Sequence, residues 1–251
     1  MKRRSDFMAK KVFIGAGHGG SDPGAVANGF RESDLNLAIA IACGDVLKNH
    51  GVDVKLSRTK DENDPLTEEI KECNAYNPDL AVDIHNNAGG GDGAEVFHHY
   101  GGGTSKVLAT NINDAIKTIG QNSRGLKTRL NSSGKDYYGF IRQTVAPAVI
   151  VECAFVDNKD DMKILDTKAE QITMGKAIAK GILKTLGITY REAKEEATVK
   201  VDNTPDSYAK EAVAWAVKEG VLIGDTKGDY KLHSNVTRQD MLVFLHRALK
   251  K

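Results

Sequence analysis

Along residues 11–187 the apolar positions switch between a two-residue and a helical period. Residues 12–16, Val-Phe-Ile-Gly-Ala, form a short apolar run stopped by glycines, as a buried strand does. Apolar side chains then recur at helical spacing at Leu35, Ala38, Ile39, Ala42, Val46 and Leu47, and Gly51 ends that helix. Ser33 or Asp34 is its expected N-cap. Residues 52–57 alternate as a strand, 65–77 read as a helix starting just after Pro65, and 80–85 and 94–100 read as strands. An amphipathic helix is expected over 105–119 and a short strand over 137–142. Residues 148–151 are apolar and β-branched, the mark of a central strand, and 169–186 form a helix closed by Gly187. This alternation predicts an α/β domain over 11–187: a twisted, mostly parallel or mixed sheet with helices on both faces.

The pattern breaks after residue 187. Residues 188–206 are charged and turn-rich with no apolar stripe, so they read as a linker. Residues 207–251 carry two apolar-striped helices around a glycine-rich turn, a small helical C-terminal domain. So short a segment is near the lower limit for folding alone, which makes partners or homo-oligomer formation plausible.

Composition narrows the class. Of 251 residues, 40% are hydrophobic and 27% charged, as in ordinary globular proteins. The net charge of +1 argues against a dedicated nucleic-acid binder. Cys43, Cys73 and Cys153 are far apart and form no Cys-x-x-Cys pair, so buried free thiols are expected rather than disulfides or a thiolate metal site. No stretch approaches the ~20 apolar residues of a membrane span. The basic start, Met1-Lys2-Arg3-Arg4, leads into no signal-peptide core, so synthesis in the cytoplasm is expected.

Candidate chemistry gathers where loops leave strands. His18 lies in Gly15-Ala16-Gly17-His18-Gly19-Gly20, where the glycines permit a sharp turn and leave the imidazole approachable. Glu32 stands just before the first long helix, and His85 ends the strand over 80–84. Two histidines and a carboxylate with one open position are a catalytic zinc pattern. Strand C-termini in open α/β sheets are also where sites form. Taken singly, each of the seven histidines is more often a surface or hydrogen-bonded residue than a ligand. A phosphate loop is the competing reading of the glycines, but their order departs from the Gly-x-Gly-x-x-Gly spacing. Glu152 ends the strand over 148–151. Burial there would raise its pKa unless it is paired, which suits a general acid or base. A capping or ion-paired glutamate fits the residue equally well.

Together these residues resemble a known family, the zinc N-acetylmuramoyl-L-alanine amidases of the type-3 class. Its members carry Gly-His-Gly-Gly, then Gly-x-x-Glu, then Ser-Ile-His-Ala-Asn-Ala, then a late Glu-x-Gly-Phe-x-x-Asn. This chain has Gly17-His18-Gly19-Gly20, Gly29-Phe30-Arg31-Glu32, Asp83-Ile84-His85-Asn86-Asn87-Ala88 and Glu152-Cys153-Ala154-Phe155-Val156-Asp157-Asn158, in that order. Ala16, Asn86 and Ala154 depart from the pattern, as does Glu69, which falls where relatives often have Arg. None of the departures removes a candidate ligand. The resemblance covers residues 12–186. It implies Zn²⁺ on His18, Glu32 and His85, a catalytic Glu152, and peptidoglycan as substrate, cut between N-acetylmuramic acid and L-alanine by a zinc-activated water. It also points to Asn87 and Arg142 as substrate-side residues, with structural pairing an alternative for Arg142. Trp215-Ala216, Gly220-Val221, Gly224 and Thr237-Arg238-Gln239-Asp240 resemble one S-layer-homology repeat, implying attachment to a secondary cell-wall polymer. Such a protein would act on the wall after release from the cytoplasm, as a phage endolysin or as an autolysin of a lysing mother cell. A non-catalytic wall-binding protein and an unrelated metallopeptidase are the competing classes.

Overall fold

The apolar run at the start becomes β1 (Lys11–Ala16). The computed structural model describes residues 9–192, 202–224, 228–234 and 238–249, so 193–201 of the expected linker lie outside the described residues. The chain divides into two compact units, Met1–Arg191 and Glu192–Lys251.

In the first unit a short hairpin follows, β2 (Val26–Ala27) and β3 (Phe30–Arg31). Its turn is Asn28-Gly29, both residues at positive φ, as a two-residue hairpin requires. Next come α1 (Glu32–Asn49), β4 (Asp53–Leu56), α2 (Leu66–Tyr76), β5 (Leu80–Asn87) and β6 (Ala94–His98). The unit continues with α3 (Gly103–Lys117), β7 (Ser123–Lys127), α4 (Gly139–Gln143), β8 (Ala148–Phe155), α5 (Lys159–Met162) and α6 (Lys168–Thr185). The six-stranded sheet runs β4-β1-β5-β8-β6-β7. All neighbours are parallel except the antiparallel pair β6 and β8. The expected mixed α/β sheet with helices on both faces is what the chain builds.

Strand alternation sorts the core into two layers. Val12, Ile14, Val82, Ile84, Val149 and Val151 face one way and pack under α1, α3 and α6. Phe13, Ala81, Ala148 and Ile150 face the other way and meet the smaller layer of α2 and α4. All three cysteines are buried free thiols.

Two local expectations are corrected. Residues 137–142 contain the helical turn α4, not a strand. Phe140 and Ile141 are adjacent and both buried, and a strand would point them to opposite faces whereas a helical turn brings both onto the core. Neither Ser33 nor Asp34 caps α1, which begins at Glu32 after Arg31. The carbonyls of Ala25 and Pro23 accept from Glu32 N and Ser33 N instead, so the preceding loop does what a capping side chain would. One strand, β7, carries no clear period in the sequence, because Arg124, Gly125 and Lys127 interrupt it.

Among its described residues the second unit holds a 3₁₀ turn (Ser207–Ala209), α7 (Lys210–Lys218) and α8 (Arg238–Leu249). The hydrogen bond from Leu232 N to Asp202 O, and those from Asp202 N and Lys231 N to the Asp229 carboxylate, tie its loops together. No described helix is long and apolar enough to cross a membrane.

Candidate active site

The face of the sheet under α2 and α4 is only partly roofed, and its strand C-termini stay open. On that face the alternation that sends Ala81 into the core carries Asp83 and His85 forward along β5, and Ile150 is followed on the same face by Glu152. His85 and Glu152 are register partners on neighbouring parallel strands.

His18 is delivered by the loop after β1. It adopts φ 64°, a left-handed conformation rare for a residue with a Cβ and a sign of local strain at a site. The surrounding loop is held from below. The buried Arg58 donates to the carbonyls of Ala16 at 2.7 Å, Gly17 at 3.3 Å and Ser33 at 2.7 Å. Asn36 donates to Gly17 O at 2.9 Å. Gly17 is required by contact, since a Cβ there would lie 2.1 Å from the His85 ring.

Glu32, at the first position of α1, reaches back between the two histidines. Its Oε1 lies 3.3 Å from His18 Nε2 and 3.0 Å from His85 Nδ1. Asn86 N donates to the same oxygen at 3.1 Å, and Ala25 N donates to Oε2 at 2.9 Å. Burial works to raise the Glu32 pKa, but hydrogen bonds with His18 and His85 outweigh it and hold the carboxyl far below the usual range. The imidazoles meet edge to face, with centroids 5.0 Å apart.

One donor atom from each of His18, Glu32 and His85 fits within 4.8 Å, the only such set of three or more among the described residues. Two imidazole nitrogens and an ionised carboxylate oxygen converging on one point suit a borderline-soft divalent cation with a fourth position left for water or substrate. The donor set therefore fits a metal.

Glu152 is half-buried beside this centre, and its buried Oε2 has no hydrogen-bond partner. Burial pushes its pKa up to about 7, with His85 opposing and Glu32, Asp83 and Glu95 adding to the rise. Capping and ion pairing, the alternatives open from sequence, are not what its orphaned oxygen shows. A cavity of about 290 Å³ opens against the histidines, walled by Glu69, Asp83, Tyr138 and Phe140.

The two remaining candidates sit apart from the donor set. Asn87 ends β5, where its Oδ1 accepts from Ala88 N at 2.8 Å and its carbonyl from Val156 N at 2.8 Å. Arg142 donates to the carbonyls of Asp136 and Tyr137, both at 2.6 Å, and lines a different cavity. Arg58, Asn36, Asp22 and Asp83 belong to the site's framework and were not apparent from sequence. Only the position of Asp83, two residues before a candidate ligand on one strand face, offered a signal.

The geometry gathers three donor atoms that suit a metal on an open α/β sheet. Residues 12–184 match the family model described as N-acetylmuramoyl-L-alanine amidase, and the chain belongs to that family. Residues 201–242 match the S-layer homology domain. The N-acetylmuramoyl-L-alanine amidase CwlM of Bacillus licheniformis is 33% identical over 86% of this chain and 86% of its own length. The endolysin of Bacillus phage SPP1 is 31% identical over 93% of this chain and 86% of its own. Among solved structures, Cwp6 from Clostridium difficile superposes with a TM-score of 0.70 at 38% identity, covering 71% of this chain and 30% of that one.

Proposed function

We propose that this peptidoglycan amidase works with Zn²⁺ held by His18, Glu32 and His85, and with Glu152 as its proton-transferring group. The observation that carries the reading is the convergence of three donor atoms within 4.8 Å beside a carboxyl whose buried Oε2 has no partner. The scissile bond joins the lactyl group of N-acetylmuramic acid to L-alanine. Bound zinc supplies Lewis acidity to the amide carbonyl and to the attacking water. Glu152 takes the proton of that water at its free oxygen and returns it to the leaving amine. A value near 7 suits both directions of transfer. Burial of Glu32 and of the Glu152 Oε2 limits competition from bulk water for these contacts. Asn87 supports its own loop at the end of β5 through Ala88 N and Val156 N, and Arg142 acts through structural pairing.

The tail, through its S-layer-homology segment, attaches the enzyme to a secondary wall polymer. The likeness to a phage endolysin over 93% of the chain supports a lytic role after release onto the wall. The test is mass analysis of fragments freed from purified walls. Intact stem peptides beginning at L-alanine are expected, with the turbidity drop stopped by a chelator and restored by zinc. Peptides cut internally, or freed sugars, would sink the reading.

A further inference from the structure

The His85 ring stands between two carboxylates. Its Nδ1 faces Glu32 Oε1 at 3.0 Å, inside the donor set, and its Nε2 faces Asp83 Oδ2 at 3.1 Å. A neutral imidazole carries one N–H, and the nitrogen that ligates a metal must give up its own. With Nδ1 turned toward the metal, Nε2 keeps the hydrogen and donates it to Asp83. His18 has the mirror arrangement, with Nε2 toward Glu32 and Nδ1 2.8 Å from Asp22 Oδ2.

The two aspartates differ in their surroundings. The Asp22 side chain is 65% exposed and that of Asp83 only 3%. Water competes for the first contact and not for the second. Asp83 is also fixed from behind. Its Oδ1 and Glu69 Oε1 lie 2.5 and 2.0 Å from the place a Cβ on Gly15 would occupy, so both carboxylates crowd into the space that glycine leaves. Neither of these oxygens has a hydrogen-bond partner.

We propose that Asp83, packed with Glu69 into the space Gly15 leaves, is a positioning residue that fixes the orientation and tautomer of His85 and so tightens metal binding at the His18–Glu32–His85 centre. A buried carboxyl acceptor also makes the opposite ring nitrogen a stronger metal ligand. The proposal rests on the metal reading of the triad.

The test is competitive titration of the metal-free full chain with Zn²⁺ against a chromophoric chelator, alongside its thermal unfolding midpoint. Asp83→Ala is expected to weaken zinc binding by about 10- to 100-fold, the range for lost outer-shell partners. Asp83→Asn, which keeps the shape and one acceptor oxygen, should fall between it and wild type. Asp22→Ala should cost less than Asp83→Ala. The metal-free midpoint of Asp83→Asn should not drop, which separates positioning from general structural support. Should Asp83→Ala not fold, the isosteric Asn variant carries the test alone. Zinc affinities of the Asp83 variants within twofold of wild type would overturn the proposal while leaving the metal reading intact. A wild-type chain that binds no zinc would overturn both.

Discussion

The two units of this chain bury their apolar residues to very different degrees. In the first, two layers of side chains close on both faces of one sheet, and Phe13, Ile14, Ile84, Ile112 and Ile178 are fully buried. In the second, α7 and α8 bury no residue, and Val221 and Asp229 are the only buried positions among the described residues there. Trp215, Leu242, Leu245 and Leu249 are all more than half exposed. Catalysis needs side chains held to within a fraction of an ångström, and only the first unit has the packing to do that. A binding segment tolerates a looser frame, because contact with its ligand can complete it.

The sharpest way to test that division is to disable the chemistry without touching the fold. Glu152→Gln removes one ionisable group from the first unit and nothing from the second. Turnover on purified walls should fall by about 10²–10⁴, the usual share of a general acid–base residue, while bound zinc and wall attachment are retained. An enzyme still at half its rate would remove Glu152 from the role given to it.

Packing offers a second test through paired truncations. Leu183 of α6 is fully buried, so Leu183→Ala should cost about 2–5 kcal/mol in a denaturant titration. Leu249 of α8 is 81% exposed, and Leu249→Ala should change stability by less than about 0.5 kcal/mol. Equal costs would mean that the second unit has a core of its own weight.

Severing the units tests their independence. Residues 1–191 alone should unfold at the midpoint of the full chain's main transition and cleave small soluble muropeptides at the full rate. Their rate on intact walls should drop about tenfold or more, since a tethered second site raises the effective concentration of the first. Residues 192–251 alone should show only a broad transition at low temperature, as expected for a small segment whose described residues bury almost no apolar surface. A sharp transition in that fragment would break the comparison.

Legibility in the sequence follows the same division. The first unit's strands and long helices show because burial imposes periodicity: Val12 to Ala16 and Ala148 to Val151 are apolar for the reason that both their faces are covered. His18, Glu32 and His85 are visible as loop and strand-end residues, and the ordered motifs join them. The frame around them is not visible. Arg58 acts through four backbone carbonyls, and no spacing rule anticipates such partners. Asp83 matters because β1 places a glycine beside it and α2 places Glu69 above it, contacts between segments distant in sequence. Residues 137–142 were misread as a strand because a single helical turn is too short to display its period.

The smallest expected effect concerns pH in the second unit. His233 Nδ1 lies 2.5 Å from Asp202 Oδ1, with Asp206 Oδ2 3.4 Å from the other ring nitrogen. The Asp202 carboxylate holds the His233 pKa above its ordinary 6.5, and hydrogen bonds from His233 hold Asp202 below 3.8. A raised histidine value stabilises the fold below 6.5 and ceases to do so as pH climbs through the folded value. A lowered aspartate value stabilises above 3.8 and ceases as pH falls through its own folded value. The pair should therefore support this unit most between about pH 4 and 6.5, and only modestly, because both side chains touch water and are screened. Trp215 is the only tryptophan of the chain and belongs to this unit, so its fluorescence follows the second unit without a signal from the first. Its urea midpoint should fall slightly between pH 6 and 8.5 in the wild type and stay level in His233→Gln. A midpoint that falls equally in both would show that the pH response lies elsewhere in the tail.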